Sequence, residues 1–428
     1  MQPLWTCLPF FGTLLAISIF PLIAKRFWTR YQSFIFTILS FLTIFWIITY
    51  YPFTEGIELI THHLYYQYLP LILSIAALYV VTTSIQIRMK AAPNTKILTT
   101  LLACGALLSS LIGTTGASII LIHPLLDLIH RRYYKTHIII FFIFLVANCG
   151  GALTPLGDPP LAVGYLNGVP FFWPLKHLFK SYIIVNGLLL FIFVIWDSIL
   201  FLKEPRYNQF NHKQFSIIHA HKIPWLIATI VVVFLLSELF ELNQHYKLVP
   251  GWFVYFVNFI ALIIITIWNA ITREGRIHWH PVIEVSKVFL VIFITLIPVI
   301  ELLSAQTHPY VIALEKFLAP SGIANPERYF WLSGLFSAFL DNAPTYLFFI
   351  KSTHVNACEL VQKNPAILKA VSLGSVFMGA MTYIGNAPNL MIRAIVTDHE
   401  VPLPSFFGYL VYSTLVLLPV LYVARELT

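Results

Sequence analysis

The residues best placed to do chemistry in this chain are two aspartates set among Gly, Pro, Asn and Thr inside long apolar stretches. Asp341 opens Asp341-Asn342-Ala343-Pro344-Thr345, and Asp158 sits between Gly157 and Pro159-Pro160. A carboxylate in hydrocarbon is costly unless it is paired or neutralised, so its default reading is functional. Asp341 has no basic residue near it in sequence; its competing role is a cap on the half-helix started by Pro344. Capping is the stronger competitor for Asp158, which precedes a proline-led helix start, although a cap that faces a cavity can also be a ligand. No Ser/His/Asp, zinc or P-loop signature accompanies the pair, so ion binding is expected and enzymatic catalysis is not.

The two aspartates belong to an internal repeat. Gly151-Ala152-Leu153-Thr154-Pro155-Leu156-Gly157-Asp158-Pro159-Pro160 lies over Gly379-Ala380-Met381-Thr382-Tyr383-Ile384-Gly385-Asn386-Ala387-Pro388 at an offset of 228 residues. The same offset, without gaps, carries Asp341-Asn342-Ala343-Pro344-Thr345 onto Gly113-Thr114-Thr115-Gly116-Ala117. Broken helices at matching positions of two halves point to a transporter's binding site. Irregular backbone survives in a bilayer only where protein buries it or a cavity solvates it. There the half-helix ends direct free amides, carbonyls and their dipoles into the gap. Carbonyls and the oxygens of Thr, Asn and Asp are hard ligands of the kind that Na⁺ prefers, by the rules that govern Ca²⁺ and Mg²⁺. The expected cation- or substrate-binding set is Thr114, Thr115, Thr154, Asp158, Asp341, Asn342, Thr345, Thr382, Asn386 and Asn389. The glycines at the breaks (Gly113, Gly116, Gly151, Gly157, Gly379, Gly385) read as backbone-permitting residues.

The elements that must hold these breaks are membrane spans. Hydrophobic residues make up 58% of the 428 and charged residues 10%, with a mean hydropathy of +0.81; a soluble domain carries about a quarter charged residues. Apolar runs long enough to cross about 30 Å of hydrocarbon recur along the chain. Full spans are expected at about 4–24, 33–51, 69–87, 137–174 (interrupted) and 182–202, then at 223–240, 251–271, 285–303, 367–396 (interrupted) and 406–423. Two further apolar stretches, 97–129 and 329–350, break at Gly113 and Asp341.

The fold class is thus an all-α polytopic membrane protein of two inverted-topology repeats, 1–202 and 223–428, joined by a basic cytoplasmic linker, 203–222. Each repeat has five crossings and one re-entrant hairpin, with broken helices at the midplane. Residues 97–129 have basic residues at both ends, as a hairpin entering and leaving on one side requires. With the N-terminus outside, 17 of the 26 Lys and Arg residues fall on the cytoplasmic side, the sign of the positive-inside rule. Lys351, Lys363 and Lys369 fall outside, against that bias. The net charge of +8 is scattered between spans and forms no nucleic-acid stripe. The four cysteines (Cys7, Cys104, Cys149, Cys358) have no disulfide or zinc spacing. The first apolar run has its basic cluster after it, so it reads as a retained span and not a cleaved signal peptide. The absence of a targeting peptide fits a bacterial inner membrane.

Gly113-Thr114-Thr115, the break from Gly150 to Pro160, the segment from Gly168 to Trp173 and the tip at Asp341 resemble the ion transporter superfamily, and within it the sodium/proton antiporters of the NhaD type. The second tip is also similar to that of the arsenite exporters, whereas citrate and dicarboxylate carriers of the superfamily use Ser-Asn-Thr tips. The resemblance implies a scaffold and a transport domain, often dimeric, with elevator-like movement.

The remaining candidates have simpler readings. His123 reads as a buried neutral histidine or a proton relay, and Asp127 with His130 as an interfacial pair. Glu238 and Glu301 lie at outer span ends, and His212, His219 and His221 in the linker. Arg393 reads as a counter-charge or a snorkelling side chain. The expected function is Na⁺/H⁺ antiport, because a carboxylate in low dielectric holds a proton until Na⁺ displaces it. The alternatives are Na⁺-coupled uptake of citrate or another dicarboxylate, and arsenite export. No cofactor is expected beyond Na⁺ and H⁺ as transported ions; the expected partners are the lipid bilayer, small ions and a second copy of the chain.

Overall fold

In a computed structural model of the chain, the described residues are 3–90, 93–204, 214–246, 250–272, 277, 279–304, 308–320 and 324–427. Among them the chain is helical almost throughout. Helices α1 (Leu8–Ile23) and α2 (Lys25–Tyr50) pack together across Ala24. Helix α3 (Phe53–His63) runs through a π turn at Leu64–Tyr68 into α4 (Leu69–Thr82). Helices α5 (Thr95–Ile112) and α6 (Thr114–Ile129) meet at Gly113. Helix α7 (Thr136–Leu145) gives way to a 3-10 turn at Cys149–Gly151 before α8 (Pro159–Leu166) starts, and α9 (Trp173–Leu202) closes the first half.

The second half follows the same order. Helices α10 (Ile223–Tyr246), α11 (Gly251–Ile271) and α12 (His280–Ser304) come first. Short α13 (Pro309–Leu318) leads to α14 (Pro326–Leu340) and α15 (Asn342–Lys351), which meet at Asp341. After α16 (Ala357–Lys363), α17 (Pro365–Phe377) ends in a 3-10 turn at Met378–Met381, and α18 (Ala387–Asp398) begins beyond it. Helix α19 (Phe406–Tyr412) continues through a π turn into α20 (Leu418–Leu427). Seven helices among the described residues are long and apolar enough to cross a membrane. The large side chains of α2 at Phe34, Phe41 and Phe45 are exposed, which suits a face against lipid and not water.

The core lies where α5, α6, α7, α14 and α17 converge. From Ile138 to Val146 every side chain of α7 is buried, so this helix has no polar face to pattern. Both hairpins break where expected, but three features differ from the sequence reading. The third span begins at Phe53, earlier than expected, because Leu59 and Ile60 of α3 pack against Trp46, Ile47 and Ile297 although Glu55 and Glu58 interrupt the hydropathy. The chain is not wholly α: strand β1 (Gln86–Lys90) pairs antiparallel with β2 (Gln214–Ile218), so part of the 203–222 linker is a ribbon edge. Helices α13 and α16 are too short to register as spans. Arg206, Lys213, His212, Arg273 and Arg276 lie outside the described residues, as does the side chain of Glu238.

One ionic cluster ties the helix ends of the first half together. Arg132, in the basic stretch that follows α6, is only 2% exposed. Its Nη2 donates to Asp197 Oδ1 at 2.7 Å, its Nε to Glu204 at 2.9 Å and its Nη1 to Pro93 O at 3.0 Å. Asp197 also accepts from Thr95 Oγ1 at 2.6 Å and lies 2.9 Å from His137 Nε2. The ends of α5, α6, α7 and α9 therefore share one charge network. Removing one partner strands a buried charge, at a cost of about 3–5 kcal/mol. Arg132→Ala is expected to lower the thermal unfolding midpoint of the purified protein sharply. Lys363→Ala, which removes an exposed i,i+4 pair with Glu359, is expected to leave it nearly unchanged; equal effects would remove the clamp from the account.

Candidate functional site

Each of the four breaks ends in the start of a helix. Gly113 precedes α6 with φ 85°, ψ 147°, and Asp341 precedes α15 with φ 76°, ψ 147°. Asp158 precedes α8 with φ −143°, ψ 144°, and Asn386 precedes α18 with φ −148°, ψ 141°. Backbones that correspond in sequence at an offset of 228 thus have matching conformations. The tip conformation is one that glycine adopts freely and an L residue does not. Gly113 meets that demand; Asp341 does so against its own preference. Asp341 stands at the N-cap position of α15, but its side chain makes no capping hydrogen bond there.

Asp158 is the hub of the side-chain cluster. It is 1% exposed and accepts three hydrogen bonds, all from neutral donors. Thr114 Oγ1 donates to Oδ1 at 3.0 Å, Asn342 Nδ2 to Oδ2 at 2.6 Å and Asn386 Nδ2 to Oδ1 at 3.2 Å. Both hairpin tips and the second break therefore meet on one carboxylate of the first break. Gly379 permits this approach, since a Cβ there would stand 2.2 Å from Asn342 Oδ1.

Behind the hub runs a relay of amides. Asn386 Nδ2 also reaches Asn148 Oδ1 at 3.2 Å, Asn148 Nδ2 donates to Asn389 Oδ1 at 2.8 Å, and Asn389 Nδ2 donates to the carbonyls of Gly379 and Thr382. On the other side, Ser337 Oγ lies 2.7 Å from Asn342 Oδ1 and 2.6 Å from Ser375 O. Its single proton serves one of these acceptors at a time.

Of the ten expected residues, Thr114, Asp158, Asn342 and Asn386 form this bonded group, and Asp341 and Thr115 line the same cavity. Asn389 stands one amide further back. The hydroxyls of the other three bond backbone. Thr154 Oγ1 donates to Ser110 O and accepts from Leu156 N, and Thr382 Oγ1 donates to Ala338 O and accepts from Ile384 N and Gly385 N. Thr345 Oγ1 donates to Asp341 O at 2.8 Å. Sequence reasoning missed Asn148 and Ser337. Asn148 lies just ahead of Gly150-Gly151, and Ser337 lies one helical turn before Asp341, with Ser109 as its counterpart at the offset of 228.

The cavity in front of Asp158 measures about 160 Å³. Gly113, Asp158, Asp341 and Asn386 are all among its lining residues, so all four helix starts border it. Apolar side chains of α4, α8, α11 and α12, among them Leu71, Leu166, Leu262 and Phe289, line much of the rest, with Ser74, Tyr79 and Tyr165 among them. No Lys, Arg or His is among its lining residues within the described part of the chain. Among the described residues, two carboxylates thus share a pocket with the positive ends of four helix dipoles and with no cationic side chain.

A family model described as "Putative citrate transport" matches the chain over residues 1–428. No curated protein matches it.

The tip geometry yields a test independent of transport. At a φ of 76° an L side chain costs about 1–3 kcal/mol, so Asp341→Gly is expected to be more thermally stable than Asp341→Ala, although both lack the carboxylate. A more stable alanine variant would mean that Asp341 does not hold this conformation.

Proposed function

We propose, from the premise that this chain belongs to the family described as putative citrate transport, that it is a secondary active transporter exchanging Na⁺ for H⁺. The observation that carries the reading is Asp158: a buried carboxylate held by three neutral donors, with a second carboxylate lining the same cavity and, among the described residues, no cationic side chain lining it. Such a group must be neutralised to remain in low dielectric, and a proton or a small cation does this equally well.

The surrounding amides suit both states. With Asp158 ionised, Asn342 and Asn386 present their NH₂ groups to it. When Ser337 donates its hydrogen bond to Ser375 O, Asn342 can turn its nitrogen to Ser337 and its oxygen to Asp158. A protonated Asp158 then gains an acceptor, and a cation held at Asp158 gains an amide oxygen. Competition of Na⁺ and H⁺ for one pair of carboxylates, with access alternating between the two sides, gives exchange.

The finer architecture belongs to the same reading. Residues 1–202 and 223–428 form two inverted-topology repeats, each of five crossings and one re-entrant hairpin, joined by 203–222. The equal dihedrals at the offset of 228 support this, and so does the crossed packing of α6 on α18 and of α15 on α8, which are the same pair with the halves exchanged. The NhaD-like tips, a homodimeric state and residence in a bacterial inner membrane complete the reading. A second reading, cation-coupled uptake of a carboxylate, draws on the four helix starts at the cavity, which favour an anion, and on the family's description.

In inside-out vesicles with an acid interior, Na⁺ or Li⁺ is expected to dissipate the proton gradient, and Asp158→Asn and Asp341→Asn are each expected to reduce this to background while still inserting. No response to either ion, together with labelled citrate uptake in right-side-out vesicles, would favour the second reading. Falling pH fills the carboxylates with protons, so more Na⁺ is needed: the apparent KM for Na⁺ should rise about tenfold per pH unit where one proton competes, and more steeply where two do. A KM for Na⁺ that stays constant down to the lowest pH at which the protein remains folded would exclude competition at titrating carboxylates.

A further inference from the structure

Three buried amides behind Asp158 are each held in one orientation. Asn389 Nδ2 donates to two backbone carbonyls, Gly379 O at 2.9 Å and Thr382 O at 3.0 Å. Asn148 Nδ2 donates to Ile143 O and to Asn389 Oδ1, both at 2.8 Å. Asn386 Nδ2 lies 3.2 Å from each of Ala147 O, Asn148 Oδ1 and Asp158 Oδ1. A backbone carbonyl only accepts, so turning any of these amides would set its oxygen against another oxygen. Asn148 and Asn389 are 0% exposed and Asn386 2%, where such an opposition is costly. Asn342 differs from them. Its Oδ1 faces Ser337 Oγ at 2.7 Å, and a hydroxyl can donate or accept.

The two oxygens of Asp158 are therefore unlike. Oδ1 receives Thr114 Oγ1 and the Asn386 amide, which cannot turn away. The two protons of that NH₂ serve three acceptors, and the carboxylate is the one that carries charge, which favours it. Oδ2 receives Asn342 alone among the described residues. A proton on Oδ1 would contest that oxygen with a fixed N–H, whereas a proton on Oδ2 meets an amide oxygen once Asn342 turns. The titratable groups that act on Asp158 are Asp341 of the second tip and Cys149 of the first break, and neither is a cation. The amide chain is also not part of the repair that the two halves share. At the offset of 228, Asn148 falls on Val376 and Asn389 on Leu161.

We infer that Asn148 is a positioning residue, which locks the Asn386 amide as a permanent donor to Asp158 Oδ1 and so confines the exchange of proton and cation to Oδ2, beside Asn342. Asn148 touches neither ion and acts through Asn386. The cation in this statement rests on the Na⁺/H⁺ reading; the seat of the proton does not.

The test is infrared spectroscopy of the full chain in liposomes without Na⁺, the carboxyl band of protonated Asp158 being the one lost in Asp158→Asn. Thr114→Val, close to isosteric, is expected to move this band to higher wavenumber, because the carbonyl oxygen of the acid loses a donor. Asn148→Ala is expected to raise the pH at which the band is half developed by about one unit, since Asn386 can then turn. Asn389→Leu, which loosens Asn148 in turn, should shift it the same way and serves where Asn148→Ala does not fold. Ser118→Ala, a buried change elsewhere on α6, should not shift it. In the vesicle assay at alkaline pH, Asn342→Ala is expected to raise the KM for Na⁺ about tenfold, while Asn148→Ala moves upward the pH at which protons begin to compete. An unmoved band in Thr114→Val would overturn the assignment of the proton to Oδ2. An unchanged midpoint in whichever of Asn148→Ala and Asn389→Leu folds would remove the lock. A wild-type protein that shows these infrared shifts but no response to Na⁺ would overturn the exchange reading and leave the lock standing.

Discussion

The organising constraint is that helices stop inside a dry interior, and every backbone group freed there must find a partner. The structure meets this demand before it builds a binding site. Thr154 and Thr382 close their breaks onto Ser110 O and Ala338 O. Thr114 N donates to Gly157 O at 2.8 Å, which pins the first tip to the first break. Asn389 takes up two carbonyls of the second break. What remains for a ligand is the polar capacity left after this repair, and it is concentrated at Asp158 and Asp341.

The two halves repair their breaks alike but do not contribute alike. Where the first half has Asp158 the second has Asn386, and where the second has Asp341 the first has Gly113. One carboxylate therefore comes from a break and the other from a tip, and the pair is brought together only by packing one half against the other. Either half alone would hold a single acid and lack the amides that bond it. This asymmetry gives the pocket a direction although the backbone around it is repeated.

Much of this was legible in sequence because Gly and Pro mark helix breaks by a local steric rule that tertiary structure does not override. Tips, breaks and their offset appear directly. A threonine hydroxyl at a break is ambiguous, since it can face a cavity or its own backbone, and for Thr154, Thr345 and Thr382 it serves the backbone. Asn148 and Ser337 carry no local mark; their roles exist only once α18 and α17 stand beside them. The repeat is also fainter in sequence than in space. Gly105 packs on Val146 in the first half and Ser333 on Gly374 in the second, so the small residue sits on opposite partners of one equivalent contact. Volume is kept across such an exchange while identity is lost. The β1–β2 ribbon escaped notice because its two strands lie far apart in the chain and only pairing gives them a pattern.

The sign of the cargo follows from which charges are fixed and which are not. Four helix starts lend positive partial charge to the cavity, and such an arrangement alone would attract an anion. Two of those starts, however, already carry an acidic residue at the N-cap position, Asp158 at α8 and Asp341 at α15. Their negative charge is covalently attached and cannot leave, and about half a unit of positive charge at each of four helix starts is at most enough to balance the two aspartates, with nothing over for a third anion. A bare carboxylate substrate would add further negative charge to that balance, whereas a proton or Na⁺ reduces it. A carboxylate can enter favourably only with cations beside it, so even the second reading requires that a cation binds at these aspartates. Both proposed mechanisms thus call for a cation at Asp158 and Asp341, and they differ only in what accompanies it.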